Sequence, residues 1–172
     1  GDYKQAVETN LKAIEQDGAY IQKAGMTSGP YPMHYLKHNL YILARAYMLL
    51  EDYDNAIKAA NELTQFVQPH LQMMPELAFA SKAPLDIYLY FHKWQEILDY
   101  QLIAPTTSMQ AYLHFARAVA FAGLGKVDEE QKERQQLQQL QKQIKPSEEY
   151  ANNPFVKILD VADVMAEAAL AK

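Results

Sequence analysis

The chain has 172 residues, 49% hydrophobic and 22% charged: the length of one domain or a short repeat array, with enough apolar content to bury a core, so it is not a disordered chain. Sixteen Lys and Arg against 21 Asp and Glu give a net charge of -5, and this acidic excess argues against a nucleic-acid binder, which needs a basic face. There is no cysteine, which excludes disulfides, thiol catalysis and thiolate metal sites.

The sequence opens Gly1-Asp2-Tyr3, with no initiator Met, basic leader or apolar leader. It closes on a helix-forming stretch that runs to Lys172 without a cap. Both ends together predict a fragment of a longer protein, with any targeting signal outside it. The longest apolar run is too short to span a bilayer, so no membrane insertion is expected.

In chain order, residues 3–23 show helical spacing through Tyr3, Ala6, Val7, Leu11, Ile14 and Ile21. Gly25, Gly29, Pro30 and Pro32 break the pattern. A second helix is predicted over 33–50 and a third from 54, carrying Ala56, Ile57, Ala60, Leu63 and Val67 and ending at Pro69. Residues 71–83 are ambiguous, with Pro75 placed to open a short helix. Two short helices follow over 85–91 and 94–100, then a longer one over 109–122 stopped by Gly123 and Gly125. Residues 127–144 form a polar helix with the stripe Val127, Leu137, Leu140 and Ile144, and Phe155 opens the last helix. No segment alternates with period two and no hairpin signal occurs, so the chain reads as all-α, built of antiparallel helix pairs.

Four turns align: Gly1-Asp2-Tyr3, Glu51-Asp52-Tyr53, His92-Lys93-Trp94 and Gly125-Lys126-Val127. Three positions beyond each turn's bulky residue stand Ala6, Ala56, Ile97 and Glu130, small or apolar in three of the four. Before the second turn, Leu40, Leu43, Ala44 and Tyr47 follow an apolar-x-x-apolar-small-x-x-aromatic pattern; before the fourth, His114, Arg117, Ala118 and Phe121 keep only its small and aromatic positions. These features resemble the tetratricopeptide-repeat superfamily over most of the chain. The turn residues Tyr3, Tyr53, Trp94 and Val127 lie 50, 41 and 33 residues apart, so the array is degenerate, with insertions at 24–33 and around 69–83.

More narrowly, the chain resembles a group of bacterial tetratricopeptide proteins of unassigned function. The group pairs a Gly-x-Tyr-x-x-Ala-Val-x-x-Asn helix, here residues 1–10, with a Tyr-Pro-x-x-Tyr-x-x-His-Asn segment, here residues 31–39. The histidine usual two positions further on is Tyr41 here, so any histidine cluster is thinned. The resemblance implies a helical scaffold and no reaction: an α-α superhelix, or solenoid, of about four irregular hairpins. Residues 1–24 would be helix B of a first repeat, 33–68 a second repeat, 71–101 a short irregular one, 106–144 a later one, and 154–172 the start of a further helix.

His34 and His38 share a face if an α-helix begins by residue 33, and two His at that spacing can take one metal ion. A third ligand is missing, since no Asp, Glu or Cys occurs between Gln22 and Leu50, so no bound metal and no cofactor are expected. With Leu40, Leu43, Ala44 and Tyr47 packed inward, His38, Tyr41, Arg45 and Met48 would face a concave groove. There Arg45 offers a forked donor for a carboxylate and Tyr41 a flat amphipathic surface. Tyr112 and Phe115 would hold the corresponding face of the later repeat. The competing reading pairs Arg45 with an acid of the next repeat.

Arg117 is expected buried in an ion pair. The run Tyr88, Tyr90, Phe91, Trp94 and Tyr100 is expected to fill a core, and the glutamine-rich helix 127–144 to be mostly solvated. No phosphate loop, His-Glu-x-x-His or Gly-x-Ser-x-Gly occurs, so the expectation is a protein- or peptide-binding scaffold and not an enzyme. The alternative is a segment of a larger protein whose His-bearing helices contribute to a metal or catalytic site.

Overall fold

The computed structural model describes residues 1–25, 32–103, 106–150 and 152–170. Ser28, Gly29, Pro30 and Tyr31, which belong to the predicted insertion and the Tyr-Pro segment, lie outside the described residues, as do the last two residues. Among the described residues the regular structure is helical apart from two strands of two residues, and the helices pack in pairs. It divides into two compact units, Gly1–Ile87 and Tyr88–Lys172. Among the described residues, no helix is long and apolar enough to cross a membrane.

The first unit holds α1 (Tyr3–Ala24), α2 (Lys37–Leu49) and α3 (Tyr53–Val67). A π-helical turn, Pro32–Leu36, leads into α2, and 3-10 turns at Gln68–His70 and Pro75–Lys82 lead into α4 (Ala83–Tyr90), within which the unit boundary falls. Helix α2 packs on both α1 and α3. Its inner face is Leu40, Leu43, Ala44 and Ala46, and Ala44 is 1% exposed. Ala56, Ala59, Ala60 and Leu63 of α3 are equally buried, so two small-residue surfaces let the backbones approach. Asn39 Nδ2 donates to Asp17 Oδ2 at 2.9 Å and ties α2 to α1. Lys82 is buried with its ammonium 2.5 Å from Asp86, which meets the requirement that an interior charge be paired.

The second unit holds α5 (Trp94–Asp99), α6 (Thr107–Gly123), α7 (Val127–Gln141) and α8 (Phe155–Ala169). Helix α6 is its axis and contacts α5, α7 and α8. Nine of its residues are buried, among them Ala111, Ala116, Ala118 and Ala120, with Leu137, Phe155, Leu159 and Ala166 supplied by its neighbours. Thr106 caps α6, its Oγ1 accepting from Met109 N–H at 3.2 Å, and Ser108 Oγ donates to the Glu148 carboxylate. The strands β1 (Glu149–Tyr150) and β2 (Asn153–Pro154) pair antiparallel around Asn152, whose φ is 63°. The sequence pattern contains no strand, because two residues are too few to show alternation.

The four aligned turns share one backbone solution. Asp2, Asp52, Lys93 and Lys126 are the N-caps of α1, α3, α5 and α7, with φ between -84° and -97° and ψ between 71° and 83°. Before three of them stands a left-handed residue: Glu51 (φ 60°), His92 (φ 54°) and Gly125 (φ 70°). In each of those three, the N-cap amide donates back to the carbonyl five residues earlier: Asp52 to Tyr47 at 3.0 Å, Lys93 to Tyr88 at 2.9 Å and Lys126 to Phe121 at 2.9 Å. This is the Schellman closure, which satisfies otherwise orphaned helix-end carbonyls. Asp2 and Asp52 also cap through their side chains, accepting from Gln5 N–H at 3.0 Å and Asn55 N–H at 3.2 Å. Lys93 and Lys126 cannot.

Gly123 ends α6 against α5: a Cβ built there would lie 2.5 Å from Trp94 Cε2, and Trp94 is itself stacked on His92 at 4.9 Å. Three outcomes are expected in urea unfolding. Gly123→Ala must displace the indole and lowers stability by about 1–3 kcal/mol, with a shifted emission from Trp94, the chain's single tryptophan. Ala44→Leu overpacks α2 and also costs about 1–3 kcal/mol. Lys126→Ser supplies the missing cap and raises stability by about 0.5–1.5 kcal/mol. An unchanged midpoint for any of the three contradicts the contact assigned to it.

Candidate partner-binding surface

Helix α2 turns 100° per residue, so positions 38, 41 and 45 rise along one side of it. His38 and Arg45 are exposed and Tyr41 half-buried. Arg45 Nη1 donates a long hydrogen bond to Tyr41 OH at 3.4 Å, and its guanidinium carbon lies 5.7 Å from the centroid of the Tyr41 ring. The phenol thus braces the guanidinium through both its ring face and its oxygen. Among the described residues no carboxylate forms an ion pair with Arg45, so its charge is not committed within the chain.

Met48 does not belong to this row. It is buried with Leu43 and Ala44, and the exposed residue at the end of α2 is Leu49. At 3.6 residues per turn the row begun by His38 and Arg45 arrives nearer 49 than 48, and α2 is covered from two sides by α1 and α3. Tyr112 and Phe115 are also interior, 9% and 5% exposed, with ring centroids 5.5 Å apart. Helix α6 has neighbours on several sides and keeps no broad free face, so these two aromatics are core residues and not part of an accessible groove.

His34 is exposed in the π-helical turn, its ring edge-on to Tyr35 at 5.3 Å. The four-residue stacking that would put His34 over His38 is an α-helical property, and this turn is wider. Among the described residues no group of three or more His, Asp or Glu could hold a metal ion.

Arg117 finds a carbonyl in place of the expected carboxylate. Its Nη2 donates to Leu98 O at 3.5 Å, tying α6 to α5, and its buried Nε has no hydrogen-bond partner. His114, at the other polar substitution on α6, pairs with Glu133 of α7 at 2.5 Å.

The aromatic run does not fill a core: Tyr88, Phe91, Trp94 and Tyr100 are half-buried and Tyr90 is 44% exposed. Tyr88 and Tyr100 meet edge-on at 6.3 Å. Burial, with Tyr88 beside it, pushes the Tyr100 hydroxyl up to about 12, so it remains neutral at physiological pH.

The charged cluster of the second unit lies elsewhere, between α7 and α8. Arg134 Nε is 2.9 Å from Asp163 Oδ1 and 3.7 Å from Glu130 Oε1, and its Nη2 is 3.1 Å from Glu167 Oε2. Gln138 donates to Asp163 at 2.9 Å, and Gln141 donates to Asp160 at 2.7 Å and to Val156 O at 3.0 Å. The helix expected to be solvated therefore uses two of its glutamines to bind α8, while Val127 of its presumed apolar stripe is 47% exposed.

Glu130 is wholly buried, and neither carboxylate oxygen has a hydrogen-bond partner. Burial raises its pKa against the pull of Arg134, and Asp163 and Glu167 raise it further. Asp163 is pushed up by burial too, but hydrogen bonds from Arg134 and Gln138 outweigh that and hold it below the usual range. The one sequence signal for this cluster was Glu130 itself, an acid where the aligned turns carry Ala56 and Ile97.

Comparison with models of known protein families, with curated proteins and with solved structures finds no match.

Proposed function

We propose that the chain is a binding scaffold, with the outer row of α2 as its docking surface for an acidic peptide segment or a C-terminal carboxylate. The observation that carries this reading is the exposed guanidinium of Arg45, braced by Tyr41 and free of any ion pair among the described residues. The surrounding sequence supports it. Lys37, His38 and Arg45 lie in a stretch without a single Asp or Glu from Lys23 to Leu50, within a chain whose net charge is -5. A protein with an acidic excess that keeps one helix free of acids presents a local field suited to an anionic partner.

The scaffold itself is proposed as a tetratricopeptide-like α-α solenoid of irregular hairpins. Its support is the common geometry of the four turns, with the buried small residues Ala44 and Ala118 at the positions where such hairpins close. The proposed role is binding and not catalysis, in line with the absence of the catalytic sequence templates.

The test uses acidic peptides synthesised with free and amidated C-termini, titrated against the chain. Losing a charged hydrogen bond to a bound carboxylate weakens affinity roughly 10- to 150-fold, which is the drop expected for Arg45→Ala. Its unfolding midpoint should stay unchanged, because the side chain is exposed. Equal binding by Arg45→Ala and the parent protein would refute the assignment.

A further inference from the structure

The position of Glu130 is interior in two of the other three turns, while Ala6 of the first is half-buried. Ala56 of α3 and Ile97 of α5 stand at the same offset from their turns and are fully buried. The fold therefore asks for an apolar or small side chain there, and α7 places a carboxylate, 0% exposed and without a donor for either oxygen. Its nearest cation, Arg134 at 3.7 Å, makes shorter contacts with Asp163 and Glu167. If all three carboxylates ionise, one guanidinium faces three negative charges.

On α7 itself Arg134 is the near cation and Asp128, Glu129 and Glu133 are the flanking acids, while the helix N-terminus favours an anion in its first turn. Asp163 and Glu167 approach from α8. Helix α6 carries Tyr112, His114 and Arg117; His114 is engaged by Glu133 and Arg117 reaches the Leu98 carbonyl.

We propose that Glu130 makes the docking of α8 on α7 pH-dependent: the protonated carboxyl leaves the seam closed, and release of its proton to solvent as pH rises loosens α8. An ionised carboxylate in this position needs water or a donor, and α7 is packed far more extensively on α6 than on α8. The contact that yields is the one with α8, where two further negative charges oppose the ionised form. The direction follows from linkage. Glu130 binds its proton more tightly in the folded than in the unfolded chain, so its contribution is complete below the ordinary glutamate range and is lost as pH rises through its higher folded value. Asp163 is held below its ordinary value of 3.8, stays ionised through this window and does not mask the effect.

The experiment compares the intact protein with Glu130→Gln, a neutral isostere, in urea unfolding and amide-exchange protection from about pH 4.5 to pH 8. The expected result is that the folding constants of the two proteins converge at the acid end and diverge with rising pH, the variant being the more stable at pH 8. Protection of α8 amides should fall with pH in the parent protein relative to α6, and stay level in the variant. The His114–Glu133 pair is common to both proteins and cancels in the comparison. A ratio of folding constants that does not change with pH, or a loss of protection spread equally over α6 and α8, overturns the proposal. Should Glu130→Gln fail to fold, the carboxyl carbon of Glu130 is titrated by NMR in the parent protein. A midpoint at or below the ordinary glutamate value, or α8 protection that does not fall relative to α6 across that midpoint, overturns the proposal, and a higher midpoint at which α8 protection falls upholds it.

Discussion

A helix that stops and reverses within two or three residues strands the carbonyls of its last turn and the amides of the next helix's first turn. The chain meets this with a left-handed residue at Glu51, His92 or Gly125, followed by a residue that donates backwards to Tyr47, Tyr88 or Phe121 and begins the next helix. That closure fixes the direction in which the second helix leaves, and the interior depends on it. Only when α3 returns along α2 do Ala56 and Ala60 meet the face carrying Leu43 and Ala44. The cost is tolerated unevenly. Gly125 adopts a positive φ freely, whereas Glu51 and His92 each accept roughly 1–2 kcal/mol of backbone strain.

The same turn explains why Glu130 is buried. The first turn of α7 carries Asp128, Glu129 and Glu130, placed to offset the unsatisfied amides of a helix whose cap residue, Lys126, offers no acceptor. Two of these acids can point outward. The third falls on the inner side because the turn geometry sets the helix phase, as it does for Ala56 and Ile97. The polar seam with α8 lies beside it: Arg134 is 3.7 Å from Glu130 and makes its closer contacts with Asp163 and Glu167.

Much of the fold was legible because it follows from local chemistry. The helix order, the turn residues and the inward set Leu40, Leu43 and Ala44 all rest on periodicity and on residues with strong conformational preferences. What escaped depends on how far each helix is surrounded. Met48 and Leu49 differ by one position on the helical wheel, and only the presence of α1 and α3 on two sides decides which is inside. Tyr112 and Phe115 look like a surface pair in isolation and are core because α5, α7 and α8 all contact α6. Gln138 and Gln141 look solvated until α8 supplies carboxylates and a carbonyl as acceptors. His38, Tyr41 and Arg45 share one side of α2, an alignment that a single helix determines.

The chain has three arginines, and their surroundings differ in a way that bears on what each can do. Arg134 is shared among three carboxylates, and the hydrogen bond it donates to Asp163, followed by that negative surround, holds its charge more firmly than usual. Arg117 spends a hydrogen bond on Leu98 and leaves Nε dry, so it serves the α5–α6 contact. Neither can turn towards a ligand without leaving a buried partner unsatisfied, a loss of about 1–3 kcal/mol before any new contact forms. Arg45 has no such debt. Its one internal hydrogen bond is long, its support is the face of an aromatic ring, and its remaining donors are open to solvent. A guanidinium already oriented by Tyr41 gives up less rotamer freedom on meeting a carboxylate than an unsupported one would. That difference in prior commitment is the physical ground for proposing Arg45 of α2, and not the arginines of α6 and α7, as a point of recognition.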